Sequence, residues 1–322
     1  FENGADACVQ SALMQFADIR SLQGRVAEAV AAFEKAVAAH RELVAHHPEN
    51  LSYRFELTRA EDYFAIVYLQ QQDYAKAMPI LEQCLREREE LVRLAPNNLV
   101  WLSALAGTAQ NMSVAERRLG HLDRAGELVL RAAQIFRQWC AVDPQNPKPR
   151  ERLALVCGTA GHYFAKVGRL DEAEKAYREK IGIIEELVRL NPRDLRYQGD
   201  HAAGLGLLAE FHASRSRYAE AVGVLDRGIA EADTLVAADP GNREWWQFLV
   251  NQLRMRGEDL EALGGTTEGL KDYQRVAEIS AAQPEGAAAF GEWMTDLRQS
   301  LTRIEAISLE LAEAEKKAGR PK

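Results

Sequence analysis

Apolar side chains recur along this chain every three or four positions in long runs. Tyr53, Leu57, Ala60, Phe64 and Tyr68 form one such run; Leu122, Ala125, Val129, Ala132, Phe136 and Trp139 form another. That spacing turns one stripe of a helix toward a core and leaves the opposite face polar. The breaks between runs are regular too. Pro48, Pro96, Pro144, Pro192 and Pro240 stand 48 residues apart, and Pro284 follows after 44. Two residues beyond the first five stand Asn50, Asn98, Asn146, Asp194 and Asn242. An Asx side chain in that place predicts a helix N-cap, accepting backbone N–H groups that have no partner of their own. The proline ahead of it stops the preceding helix, because it lacks a donor and restricts the residue before it.

Other positions keep the 48-residue register. Five past each proline come Tyr53, Trp101, Pro149, Tyr197 and Trp245, and nine past come Leu57, Leu105, Leu153, His201 and Leu249. Seventeen past, every residue is small: Ala65, Ser113, Gly161, Ala209 and Gly257. A turn position follows at Gln72, Gly120, Gly168, Ser216 and Gly264, and five residues later come Ala77, Ala125, Ala173, Ala221 and Gly269. Stepping back by 48 adds Gly24 and Ala29. The expectation is six units, each of two antiparallel helices of about 20 residues, about 30 Å long. Small residues in fixed columns mark close helix crossings, where a larger side chain would push the axes apart.

With these columns in view, the segments 119–125 (LGHLDRA) and 167–177 (VGRLDEAEKAY) resemble the tetratricopeptide repeat. That pattern has a glycine at the turn, an alanine five later and an aromatic four after that. The likeness covers about residues 10–284. It departs from the family in length, since the usual unit is 34 residues and this one is 48; about two turns are added per helix. Such units resemble those of bacterial multidomain proteins. The implied fold is all-α, a right-handed α-solenoid of about six hairpins with a C-terminal capping helix. The array is expected over 1–284, in units of about 1–47, 48–95, 96–143, 144–191, 192–239 and 240–284. A capping helix is expected over 285–317, with Trp293, Leu297, Leu301, Ile304 and Leu311 on one face, and a tail over 318–322. The alternative use of that helix as a dimerisation surface stays open.

Composition narrows the chemistry. The chain has 322 residues and a net charge of -8, from 40 basic and 48 acidic side chains. A binder of the phosphate backbone needs a basic face, so no nucleic-acid partner is expected. Cys8, Cys84, Cys140 and Cys157 form no paired motif and read as small buried side chains in a reducing compartment, hence a cytoplasmic protein. No run approaches the roughly 20 apolar residues of a membrane span. The start, Phe-Glu-Asn-Gly-Ala-Asp, lacks both an initiator methionine and a signal-peptide pattern, which reads as a processed or excised piece of a longer protein.

No catalytic constellation stands out. His46 and His47 are adjacent, His201 and His212 are 11 apart, and no H-E-x-x-H occurs, so no metal is expected. Gly204, Gly206, Gly264 and Gly265 lack the strand and Lys-Ser/Thr of a phosphate loop, and no cofactor is expected. Cys157 and His162 point apart on a helix. Carboxylate pairs such as Glu89–Glu90 and Glu185–Glu186 read as solvated surface.

What remains is a surface. The resemblance implies that the first helix of each hairpin lines a concave face for a peptide or partner protein. Carried over residue by residue, that face comprises Asp62, Tyr63 and Ile66, then Gln110, Asn111 and Val114, then Thr159 and His162, then Leu207 and Glu210, then Arg254 and Met255. The Lys/Asn cluster that clamps C-terminal carboxylates in some family members does not recur. The expected function is a non-catalytic scaffold for protein–protein interaction. The rival is the regulatory or sensor portion of a larger bacterial enzyme, such as a caspase-like peptidase or a kinase. Self-assembly by end-to-end stacking is a third reading, and the oligomeric state stays open.

Overall fold

The structure, a computed structural model, describes residues 24–282 and 291–318, without the side chains of 291–297, 312 and 314–318. Cys8, Pro284, the first half of the first unit and residues 319–322 of the tail therefore lie outside the described residues, as do the side chains of Trp293 and Leu297. Those residues form twelve α-helices and no strand. They are α1 (Val26–His46), α2 (Leu51–Gln70), α3 (Tyr74–Leu94), α4 (Leu99–Leu119), α5 (Leu122–Val142) and α6 (Pro147–Lys166). Then follow α7 (Leu170–Leu190), α8 (Leu195–Ala213), α9 (Tyr218–Ala238), α10 (Arg243–Ala262), α11 (Thr266–Ala281) and α12 (Gly291–Ala318). The chain divides into two compact units, 1–168 with α1–α6 and 169–322 with α7–α12.

The helix starts follow from the Asx residues. The Asn50 side chain accepts from the N–H of Ser52 and Tyr53, and Asn98 from Val100 and Trp101. Asn146, Asp194 and Asn242 accept from Lys148, Arg196 and Glu244. Each such cap contributes about 1 kcal/mol. The turn residues take left-handed backbone. Gly24, Gly120, Gly168 and Gly264 have positive φ, and so do Gln72 (59°) and Ser216 (57°), which stand in the same register.

Within each unit consecutive helices pack antiparallel, and first helices also meet: α2 touches α4 in the first unit, while α8 touches α10 and α10 touches α12 in the second. This is the α-solenoid arrangement, in which every helix buries its stripe against near neighbours only. The small columns sit at the crossings: Ala65, Ala77, Ala173, Ala209 and Ala221 are wholly buried. At Gly257 and Gly269 the approach is tighter still, since a Cβ on Gly269 would lie 2.8 Å from the Gly257 carbonyl oxygen. The aromatic and leucine columns fill the core, with Trp245, Leu249 and Leu253 packed on Leu225 and Ile229 in the second unit.

Successive second helices are joined by ion pairs between residues 42 apart. In the first unit Arg131 of α5 reaches Glu89 of α3 (3.6 Å) and Arg124 reaches Glu82 (2.9 Å). In the second, Arg227 of α9 reaches Glu185 of α7 (3.1 Å) and Arg275 of α11 pairs with Asp233 of α9. Glu185 is thus ion-paired while remaining about half exposed (51%).

Helix α12 packs on α10 and α11. Its inward stripe runs through Ser300, Ile304 and Ile307, with Ser300 and Ile307 wholly buried. Leu301, expected on that stripe, is exposed because it stands one residue (about 100°) round the helix from Ser300. Leu311, a turn beyond Ile307, is exposed as well.

Candidate interaction cleft

Helices α4 and α6 flank a cleft floored by α5. Toward the start of α4 lies a cavity of about 510 Å³, with Gln110 and Asn111 on one side, Lys148, Glu151 and Arg152 on the other, and Phe136 and Trp139 below. Toward its end lies a second, about 480 Å³, between Val114, Arg117 and Arg118 of α4 and Thr159, His162 and Lys166 of α6. Leu122, Ala125 and Val129 of α5 form its floor. Repeat register builds this arrangement, since Val114 and His162 are 48 apart, as are Arg118 and Lys166. Of the residues expected from the sequence, Gln110 and Asn111 thus line the first cavity, and Val114, Thr159 and His162 the second.

The cleft is cationic. Arg117, Arg118 and Lys166 are exposed, and none lies within ion-pair distance of a carboxylate among the described residues. The acid next in sequence, Glu116, is buried on the other side of α4, held by His121 Nδ1 (2.7 Å) and Arg124 Nε (2.7 Å). Tyr163 joins the lining with its ring laid against Gly126.

The other expected positions are spread out. On α2, Tyr63 is exposed and Ile66 half-buried. Asp62 is already engaged: it accepts from the Thr108 hydroxyl (3.2 Å) and pairs with Arg88 (3.2 Å). Arg88 is one of the largest buried side chains, and its guanidinium donates to the Thr58 hydroxyl and carbonyl and to the Ala104 carbonyl, each at 3.0 Å. With the Thr108 hydroxyl as a further acceptor, the buried charge is compensated in the way burial demands. In the second unit, Leu207 is half-buried and Glu210 exposed on α8. Arg254 bonds Glu258 (2.6 Å) and Asn251 (3.0 Å) beside a cavity of about 570 Å³ that Tyr273 and Arg303 also line. Met255 packs on the core.

Sequence reasoning missed Arg117, Arg118, Tyr163 and Lys166. The available signal was Arg118 and Lys166 sharing a register. It also missed the role of His201, which replaces leucine in its column. That buried ring bonds Glu231 of α9 through Nδ1 (2.7 Å) and Glu185 of α7 through Nε2 (3.2 Å). Among the described residues no group of three or more His, Cys, Asp or Glu could hold a metal ion. Cys84 and Cys157 are buried and Cys140 half-buried, all as free thiols. No described helix is long and apolar enough to cross a membrane.

Capped helical hairpins in a fixed register, packed neighbour to neighbour and open along their first helices, define a helical-repeat protein. A tetratricopeptide-repeat family profile matches residues 9–49 and 62–92. No curated protein matches the sequence closely enough to count as a relative. Among solved structures, BtubC from P. vanneervenii is similar at 18% identity, over 79% of this chain and 91% of that one, with a TM-score of 0.57. The apo form of RapI is similar at 13% identity, over 95% and 75%, with a TM-score of 0.56. A signal transduction ATPase with numerous domains and a tetratricopeptide repeat sensor, from Pyrococcus horikoshii, is similar at 14% identity with a TM-score of 0.56; the match covers 95% of this chain and 43% of that protein. At these identities the likeness is one of fold.

Proposed function

We propose that the chain is a non-catalytic scaffold that binds a peptide or partner protein along the face built from the first helices of its hairpins. The observation that carries this is the cleft between α4 and α6, which gathers Gln110, Asn111, Val114, Thr159 and His162 from two repeats. Its mixed lining, apolar below and polar at the sides, suits an extended peptide or an amphipathic helix. The remaining expected positions, Tyr63, Ile66, Leu207, Glu210, Arg254 and Met255, extend the same reading to the other first helices. Asp62 supports that face from below through Arg88. A photocrosslinking residue at Val114 is the test, with one at Arg131 on α5 as control. Capture of a partner in cells of the native source is expected from Val114 alone. Equal capture from both positions, or from Arg131 only, rejects the reading.

A second reading is favoured by one observation, the likeness to an ATPase whose repeats are described as a sensor. In it this chain is the sensing portion of a larger enzyme, a peptidase or kinase, and its cleft receives the signal.

A further inference from the structure

We infer that the cleft between α4 and α6 takes an acidic peptide segment that carries an aliphatic side chain between its carboxylates. The inference rests on the scaffold reading and names the chemistry of the occupant. Arg117 and Arg118 stand in the last turn of α4 and Lys166 in the last turn of α6. Basic residues there complement a helix dipole, but this fold does not require them, because α2 and α10 end without one. The patch belongs to these two repeats. In the register of Val114 and His162 the next two repeats have Glu210 and Glu258, and in that of Arg118 and Lys166 they have Ser214 and Ala262.

Beneath the cations the floor is apolar, made by Leu122, Ala125 and Val129. Beside it Gly126 makes room for the Tyr163 ring, which a Cβ there would meet at 2.0 Å. No other repeat has glycine in that register, which reads Met78, Glu174, Val222 and Leu270 elsewhere. An aliphatic side chain on this floor sheds water, while one carboxylate meets the guanidinium forks of Arg117 and Arg118 and another the Lys166 ammonium across the cleft. Toward the start of α6 the wall is mixed, with Glu151 between Lys148 and Arg152. The 21 residues of α4 run about 31 Å, the length of about nine extended residues. Charge also argues for peptide over nucleic acid. The chain is net -8, and a few cations around one cavity do not make the continuous basic track that a phosphate backbone requires.

Fluorescence anisotropy on the full chain tests this, with three labelled ten-residue peptides: glutamates around one central leucine, the same with glutamine for glutamate, and the same with glycine for leucine. The first is expected to bind and each of the others to bind about tenfold more weakly, the first difference shrinking in high salt. The Arg117→Glu/Arg118→Glu double variant, altered only at exposed positions, is expected to weaken the first peptide about tenfold or more. The charge-matched Arg193→Glu/Arg215→Glu control is expected to leave it unchanged. Equal binding by the Arg117→Glu/Arg118→Glu variant overturns the inference. So does a ten-residue oligouridylate that binds as tightly with the same sensitivity. A partner crosslinked at Val114 whose binding survives Arg117→Glu/Arg118→Glu overturns it too, while leaving the scaffold reading intact.

Discussion

Gln72 and Ser216 show how strictly one residue position is held. Four of the six described turns place glycine where φ is positive, and these two place side chains there at 59° and 57°. A Cβ in the left-handed region costs roughly 1–2 kcal/mol, and glycine avoids it at some expense in unfolded-chain entropy. Gln72→Gly and Ser216→Gly are therefore expected to stabilise the chain by about 0.5–1 kcal/mol each. Gly120→Ala is expected to do the reverse. An added Cβ at Gly120 meets nothing within 4 Å, so its effect comes from the backbone alone. Denaturant midpoints report all three, and a Gly120→Ala protein as stable as its parent removes the argument.

At the scale of helices, His201 ties three together. Burial by itself lowers its pKa, but the hydrogen bond and charge of Glu231, and then those of Glu185, outweigh that and raise it. Glu185 is shared with Arg227, the other charged group bonded at this junction. A pKa raised in the folded state means that the clamp's contribution is complete below the unfolded value of about 6.5 and is lost as pH rises through the folded one. The melting temperature is expected to fall between pH 6 and 9 more steeply in the parent than in His201→Leu, which restores the residue of Leu57, Leu105, Leu153 and Leu249. Parallel slopes eliminate the clamp as a source of pH dependence. The helices themselves were legible because their ends carry local chemistry: a proline, an Asx cap and a turn residue need no distant partner to be read. Half of the cleft was legible for the same reason, since register alone places Val114 over His162. The cations were not. Periodicity says which face a long side chain leaves from, but not whether it pairs as Arg88 and Arg227 do, or stays open as Arg117 and Arg118 do.

Within each compact unit, stability is a sum of near-neighbour terms, because consecutive helices pack on one another and the contacts reaching further join helices two apart. Ala221 of α9 is wholly buried, so Ala221→Asp places an unpaired charge in a crossing and costs several kcal/mol. Amide hydrogen exchange is expected to quicken most in α8, α9 and α10 and least in α2 and α3. Uniform acceleration from α1 to α12 is the contrary result, and indicates one cooperative body in place of locally coupled repeats.

The ion pairs between residues 42 apart bear on the history of the repeats. Glu89, Glu185 and Asp233 share a register, and so do Arg131, Arg227 and Arg275, but the intervening copy has Arg137 and Glu179, with the signs exchanged. Tandem copies are prone to gain or loss by unequal recombination. Loss of residues 96–143 would set Glu89 against Glu179, and loss of 144–191 would set Arg137 against Arg227. Loss of 192–239 would still leave Glu185 facing Arg275. Exposed pairs contribute only about 0–1 kcal/mol each, too little to hold the fold, yet their polarity records which copies can be dropped and which are bound to their place in line.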